Sequence, residues 1–85
     1  MDELTGHQQD LLDFERQWWR FAGAKAVEIE RQLGLTPVAY YRELNVVIDL
    51  PAAMEHDPTL VRRLQRARTL RRRRRANRSL RLAQA

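Results

Sequence analysis

Arg71, Arg72, Arg73, Arg74 and Arg75 stand in one unbroken run, and they are the residues of this chain best suited to a definite chemistry. A guanidinium is planar and permanently charged, and its forked donors grip phosphate bidentately, where lysine offers only a point charge. Arg62, Arg63, Arg66, Arg68, Arg78 and Arg81 extend the set, with no lysine and no acid among them. Residues 62–85 therefore carry +11, against −6 for the first 61, and the two give the net +5. So dense a cationic segment repels itself until a polyanion neutralises it. Nucleic acid is the first candidate, because each neutralised phosphate releases a condensed counterion. These eleven arginines are the candidate phosphate contacts.

Other chemistries have little to work with. His7 and His56 are the only histidines and lie far apart in sequence. His56 has Glu55 and Asp57 as neighbours, but adjacent residues rarely share one ion. Ser79 is the sole serine and falls in the basic segment. There is no glycine-rich phosphate loop, and without cysteine there is neither disulfide nor thiolate metal site. The expectation is a protein that is not an enzyme, with no metal and no cofactor. No apolar run approaches the roughly 20 residues that span a bilayer. The acidic N-terminus lacks a secretory signal's apolar core. A cytoplasmic, nucleoid-associated location follows as an expectation, with no membrane partner.

The elements that must position these residues are helices. Thr5 and Gln8 form a capping-box pair, and the first helix is read from Gly6 to Ala22. Leu11, Phe14, Trp18 and Phe21 make its stripe, Leu12 and Trp19 widen it, and Gly23 is its stop. A second helix covers 24–33 with Ala26, Ile29 and Leu33 inward, and ends at Gly34. Thr36 and Pro37 restart the chain as cap and first turn. The third helix reaches about Ile48, burying Tyr40, Tyr41, Leu44, Val47 and Ile48. Asp49 and Pro51 signal a short turn of helix through Met54. Asp57 and Pro58 open a last helix, with Leu60, Val61, Leu64 and Ala67 as its inner stripe. At about 100° per residue, residues 71–75 cover every side of that helix. Beyond about Leu70 it must project, fray or lie on a polyanion. The reading is an all-α bundle, residues 1–70, followed by an Arg-rich helix or tail, residues 71–85.

Within the bundle, Ala26 to Asn45 has the pattern of a helix-turn-helix. Ile29 and Leu33 face inward, Gly34 makes the sharp turn between closely approaching helices, where a Cβ would clash, Leu35 plugs the gap behind it, and Tyr40 and Leu44 anchor the second helix. Glu30 departs from the pattern, standing where a small residue usually lets the helices approach. In this motif the second helix enters the major groove. Thr36, Arg42 and Asn45 are then the base-reading candidates, Arg42 suiting guanine and Asn45 adenine. Val38 and Ala39 share the outward face, and Glu43 would repel phosphate. Trp18 and Trp19 are read first as a clamp between the second and last helices. Tryptophan is also enriched at interfaces, so both are partner-interface candidates. Arg16 and Arg20 are expected to pair with acids such as Asp13.

The wider chain resembles a known family. Leu12-Asp13-Phe14-Glu15 with Trp18-Trp19, then Gly23-Ala24-Lys25, then Gly34-Leu35-Thr36 with Tyr40-Tyr41 and Leu44-Asn45 carry the likeness. Together they resemble a family of small actinobacterial proteins of unknown function, some with an Arg-rich C-terminus, over roughly residues 4–70. The resemblance implies a helical fold with a helix-turn-helix-like centre and brings no activity. The residues point to a small DNA-binding protein, a transcription regulator or nucleoid-associated factor. The alternative is an interaction module that docks on RNA polymerase or the ribosome while the arginines hold nearby nucleic acid. RNA stays open beside DNA. So does a homodimer, although no heptad run marks its interface.

Overall fold

Thr5 starts the first helix by a reciprocal cap. Its Oγ1 accepts from the Gln8 amide at 3.1 Å, and its own amide donates to Gln8 Oε1 at 2.9 Å. The computed structural model describes residues 3–84. Over these there are five helices and no strand: α1 Gly6–Trp18, α2 Ala22–Leu33, α3 Pro37–Val47, α4 Pro51–His56 and α5 Pro58–Gln84. The protein is all-α. Met1, Asp2 and Ala85, the outer ends of the expected 1–70 and 71–85 segments, lie outside the described residues.

α1 ends four residues before the expected Ala22. The Phe21 amide bonds back to the Trp18 carbonyl at 3.0 Å. Phe21, at φ −104° and ψ 82°, becomes the N-cap of α2. Gly23 lies inside α2 rather than stopping α1, and Phe21 is 54 % exposed instead of completing the α1 stripe. No glycine or proline forces the early break. It brings α2 back alongside α1, so that tertiary pairing overrides the local periodicity.

The core is made of Leu11, Leu12, Phe14, Ile29, Tyr40, Leu44, Val47, Ile48, Ala53, Leu60 and Val61. Leu33, Leu35 and Leu64 pack on its edge. α2 meets it through Lys25, Ile29 and Leu33, four residues apart, and not through Ala26, which is exposed. Tyr41, expected inside, is 41 % exposed. Glu30 points to solvent, so its size does not obstruct the α2–α3 approach.

Gly34 ends α2 at φ 68°, with its amide on the Glu30 carbonyl at 2.9 Å. A Cβ added there would meet nothing within 4 Å. Its requirement is therefore the left-handed backbone, not the close approach expected from the motif. Thr36 caps α3 through Oγ1, 3.1 Å from the Ala39 amide. At α4 the cap is Leu50, with no side-chain bond. The expected Asp49 is held elsewhere, as described below. Asp57 Oδ1 accepts from the Leu60 amide at 3.3 Å and opens α5.

α5 is one helix of 27 residues, about 40 Å long at 1.5 Å per residue. It accounts for much of the 48 Å long axis of the molecule. Its first third buries Leu60 and Val61, and every residue from Thr69 to Ala83 is exposed. It continues through the arginines because arginine has high helix propensity and no glycine or proline follows Pro58.

Two outcomes follow. Gly34→Ala should destabilise by about 1–2 kcal/mol, the cost of left-handed backbone. Gly23→Ala should stabilise by about 0.5 kcal/mol through the unfolded chain. Thermal melts of the two variants, shifting in opposite directions, check this pair. In α5, like charges four apart, as at Arg71 and Arg75, oppose the helix. Amide exchange should therefore be fast beyond Leu70 and slow at residues 60–64. Uniform protection along α5 in the free chain would contradict it.

Candidate functional site

Glu15 falls in the middle of the apolar face of α1, between Leu11 and Trp18. Its side chain is 4 % exposed. An ionised carboxylate there must be paired and hydrogen-bonded. Lys25 of α2, 8 % exposed, places Nζ 2.7 Å from Glu15 Oε1. Tyr40 of α3 donates its hydroxyl to the same oxygen at 2.6 Å. Three helices thus meet on one carboxylate. Lys25 Nζ also stands 5.0 Å from the Tyr41 ring centroid and 5.8 Å from that of Tyr40. Burial, then the Glu15 charge and its hydrogen bond, push the Tyr40 hydroxyl far above the ordinary phenol range.

Glu15 and Lys25 of this cluster form one wall of a cleft of about 240 Å³ bordered by α1, α3 and α5. Trp19, Tyr41, Asn45, Arg63 and Arg71 line the rest together with Leu44, Ile48, Leu64 and Ala67. Arg63 lies over the Trp19 ring at 4.2 Å and Arg20 over it at 4.9 Å, close enough for cation–π attraction. α5 is fastened beside the cleft by two side chains. Gln65 Nε2 donates to the Ile48 carbonyl at 2.9 Å. Arg68 donates to the Asn45 carbonyl at 3.2 Å and to both Asp49 carboxylate oxygens, at 3.0 and 2.6 Å. These donors meet the C-terminal carbonyls of α3, where a cation is favoured. The Arg68 hydrogen bonds hold Asp49 below its usual carboxylate range.

The arginines of the basic segment are thus not alike. Arg68, with a side chain 15 % exposed, is spent inside the protein. Arg63 is stacked on Trp19. Arg62, Arg66, Arg71, Arg72, Arg73, Arg74, Arg75, Arg78 and Arg81 are exposed. Of the three base-reading candidates, Thr36 uses its hydroxyl as a helix cap. Arg42 is exposed on the outer face of α3, between Val38 and Val46, which are 69 and 62 % exposed. Asn45 is exposed but opens on the cleft. Arg42 borders the groove that α3 forms with Thr5, His7 and Gln8 at the start of α1.

Trp18 and Trp19 part company as well. Trp18 stacks on Phe14, centroids 6.0 Å apart, and meets Phe21 edge-on at 5.4 Å. Only Trp19, 36 % exposed, faces α5. Arg16 pairs with Asp57 at 2.7 Å, not with Asp13. Asp13 instead accepts His56 Nε2 at 3.0 Å, and His7 Nε2 lies 3.3 Å from Glu43. Among the described residues no three His, Asp or Glu side chains are grouped to hold a metal, and no helix is long and apolar enough to cross a membrane. The reading of the sequence missed the Glu15–Lys25–Tyr40 cluster. Its signal was present: Lys25 is the one lysine among sixteen basic residues.

The fold and the site define a small all-α protein with a cationic terminal helix. The chain belongs to the family described as protein of unknown function (DUF3263), whose model matches residues 3–76. That match runs past Leu70 and takes in the whole run of residues 71–75. No curated protein and no solved structure matches the chain.

Lys25→Met leaves a buried carboxylate unpaired and should cost about 3–5 kcal/mol. Adding Glu15→Gln removes the charge but keeps an acceptor for Tyr40, and should recover most of that loss in chemical denaturation. The pH dependence has a definite sign. Folded Tyr40 keeps its proton where the unfolded phenol, near pH 10, loses it. The stability from this group is complete below about pH 10 and declines as the pH rises above it. Tyr40→Phe should flatten that alkaline decline.

Proposed function

We propose that this protein binds nucleic acid, with α5 as its electrostatic anchor. DNA is the favoured ligand, and the role is that of a small transcription regulator or nucleoid-associated factor. One observation carries the reading. From Arg71 to Arg81, α5 bears seven exposed arginines with no acid among them, on a helix that leaves the body and has no face to bury. Each phosphate so neutralised adds counterion release. The body adds orientation. α2, the turn at Gly34 and α3 follow one another as helix, turn and helix, and on this reading the exposed Arg42 would be offered to a groove. With Thr36 engaged as a cap and Asn45 turned to the cleft, sequence readout would rest mainly on Arg42. The reading is therefore strong phosphate binding with weak sequence preference.

A second reading has its own support. Val38 and Val46 flank Arg42 at helical spacing on the outer face of α3, and an apolar stripe suits a protein surface better than a duplex. On this reading α3 docks on a protein, such as RNA polymerase or a ribosomal component, while α5 holds nearby nucleic acid.

Salt dependence tests the anchor. If about six arginines meet phosphates, log K should fall against log salt with a slope of roughly −5 on duplex DNA. Replacing residues 71–75 by glutamine should remove most of that slope, and an unchanged slope would refute the anchor. Arg42→Ala separates the two readings. If α3 reads bases, affinity for a sequence selected from a random duplex library should fall by about 1–3 kcal/mol, with little change on random duplex. Silence on both DNAs favours the docking surface.

A further inference from the structure

We infer that the cleft between α1, α3 and α5 is a subsite for one unpaired nucleotide of a nucleic-acid strand. This rests on the reading of α5 as a phosphate anchor and goes beyond it, because it assigns a place to the base. The lining combines what an extruded base requires. Tyr41, 41 % exposed, offers the part of its ring that Lys25 and Tyr40 leave uncovered. Arg63 already lies on Trp19 at 4.2 Å, so its guanidinium plane is held ready to extend a stack. Bases splayed out of a helix are bound by just such aromatic rings and arginine planes. Asn45 supplies both a donor and an acceptor for a base edge.

Size and charge limit the occupant. A cleft of about 240 Å³ is smaller than the roughly 300–1,000 Å³ of drug-sized sites. It takes one flat heterocycle and excludes a duplex. In a duplex the faces of each base are covered by its neighbours, so Tyr41 and Arg63 could not reach them. The cleft wall does not repel the strand, because Lys25 and Tyr40 neutralise and cover the Glu15 carboxylate. Arg71 lines the cleft and also begins the run of residues 71–75. A strand whose base enters beside Tyr41 thus continues directly onto the exposed arginines with its next phosphates. Asn45, expected from the sequence to read a paired adenine, acquires in this way a role that its placement permits.

The test compares two single strands on the full-length chain by fluorescence anisotropy at low salt. One is an oligodeoxynucleotide of mixed sequence, and the other is an abasic strand of the same length. Both present the same phosphates. The base-containing strand should bind roughly tenfold more tightly, the scale of one base–aromatic stack. Tyr41→Ala should abolish that preference and leave the abasic affinity unchanged. Tyr41→Phe should preserve it, and Asn45→Ala should reduce it. Equal binding of the two strands by the unmodified chain overturns the inference and leaves the phosphate anchor standing. A preference that survives both Tyr41→Ala and Asn45→Ala also overturns it, since the bases then bind elsewhere. If neither strand binds, the anchor itself fails and the subsite with it.

Discussion

One buried carboxylate organises this protein. Glu15 is removed from water by the packing of α1, and Lys25 and Tyr40 both reach the same one of its oxygens. In a chain of 85 residues the apolar core is modest and the stability it supplies is marginal. The cluster adds a condition that few arrangements satisfy. α2 must return early enough to deliver Lys25, and α3 must run at the height where the Tyr40 hydroxyl meets Glu15. The early end of α1 and the place of Lys25, rather than Ala26, beside Ile29 and Leu33 on the inner face of α2 both accord with it. Such a pair need not add net stability over an apolar substitute. Its consequence here is geometric, in the register of three helices.

The same economy governs the junction with α5. The body closes itself with its own polar pairs: Asp57 takes Arg16, Asp13 takes His56, and Asp49 takes Arg68. After Arg68 there is no acid left in the sequence. The helix therefore changes from a structural element to a cationic one within a single turn. No break in α5 separates the acidic body from the basic segment.

Much of this was legible in the residues. Thr5 with Gln8, Thr36 with Pro37 and Asp57 with Pro58 mark three helix starts, because each cap is a local bond between near neighbours. Gly34 was readable as a stop for the same reason, although its need proved to be a positive φ and not a tight contact. Gly23 misled, since a glycine near the end of an apolar stripe looks like a stop, and only the distant pairing of Lys25 with Glu15 places it within α2. Polar residues at core positions are where periodicity fails as a guide: an inward Lys25 reads as a surface residue until its partner is known. The cleft was illegible for a similar reason. Trp19 caps the end of α1, Tyr41 and Asn45 lie on α3 and Arg63 on α5, and nothing in their spacing along the chain announces that they share a wall. The electrostatic character of α5, by contrast, is a property of composition and needed no structure to see.

The unbroken passage from body to basic helix has a mechanical consequence. A disordered arginine tail would let the body wander over a wide volume around whatever the tail holds. A helix rooted by Gln65 and Arg68 acts instead as an arm with a set bearing. Mutual repulsion weakens the outer part of that arm when it is bare, and neutralisation by a bound polyanion removes the repulsion. If α5 anchors a nucleic-acid strand as proposed, the arm would become stiff only when loaded, and the bearing of α3 relative to that strand would then be set by the helix.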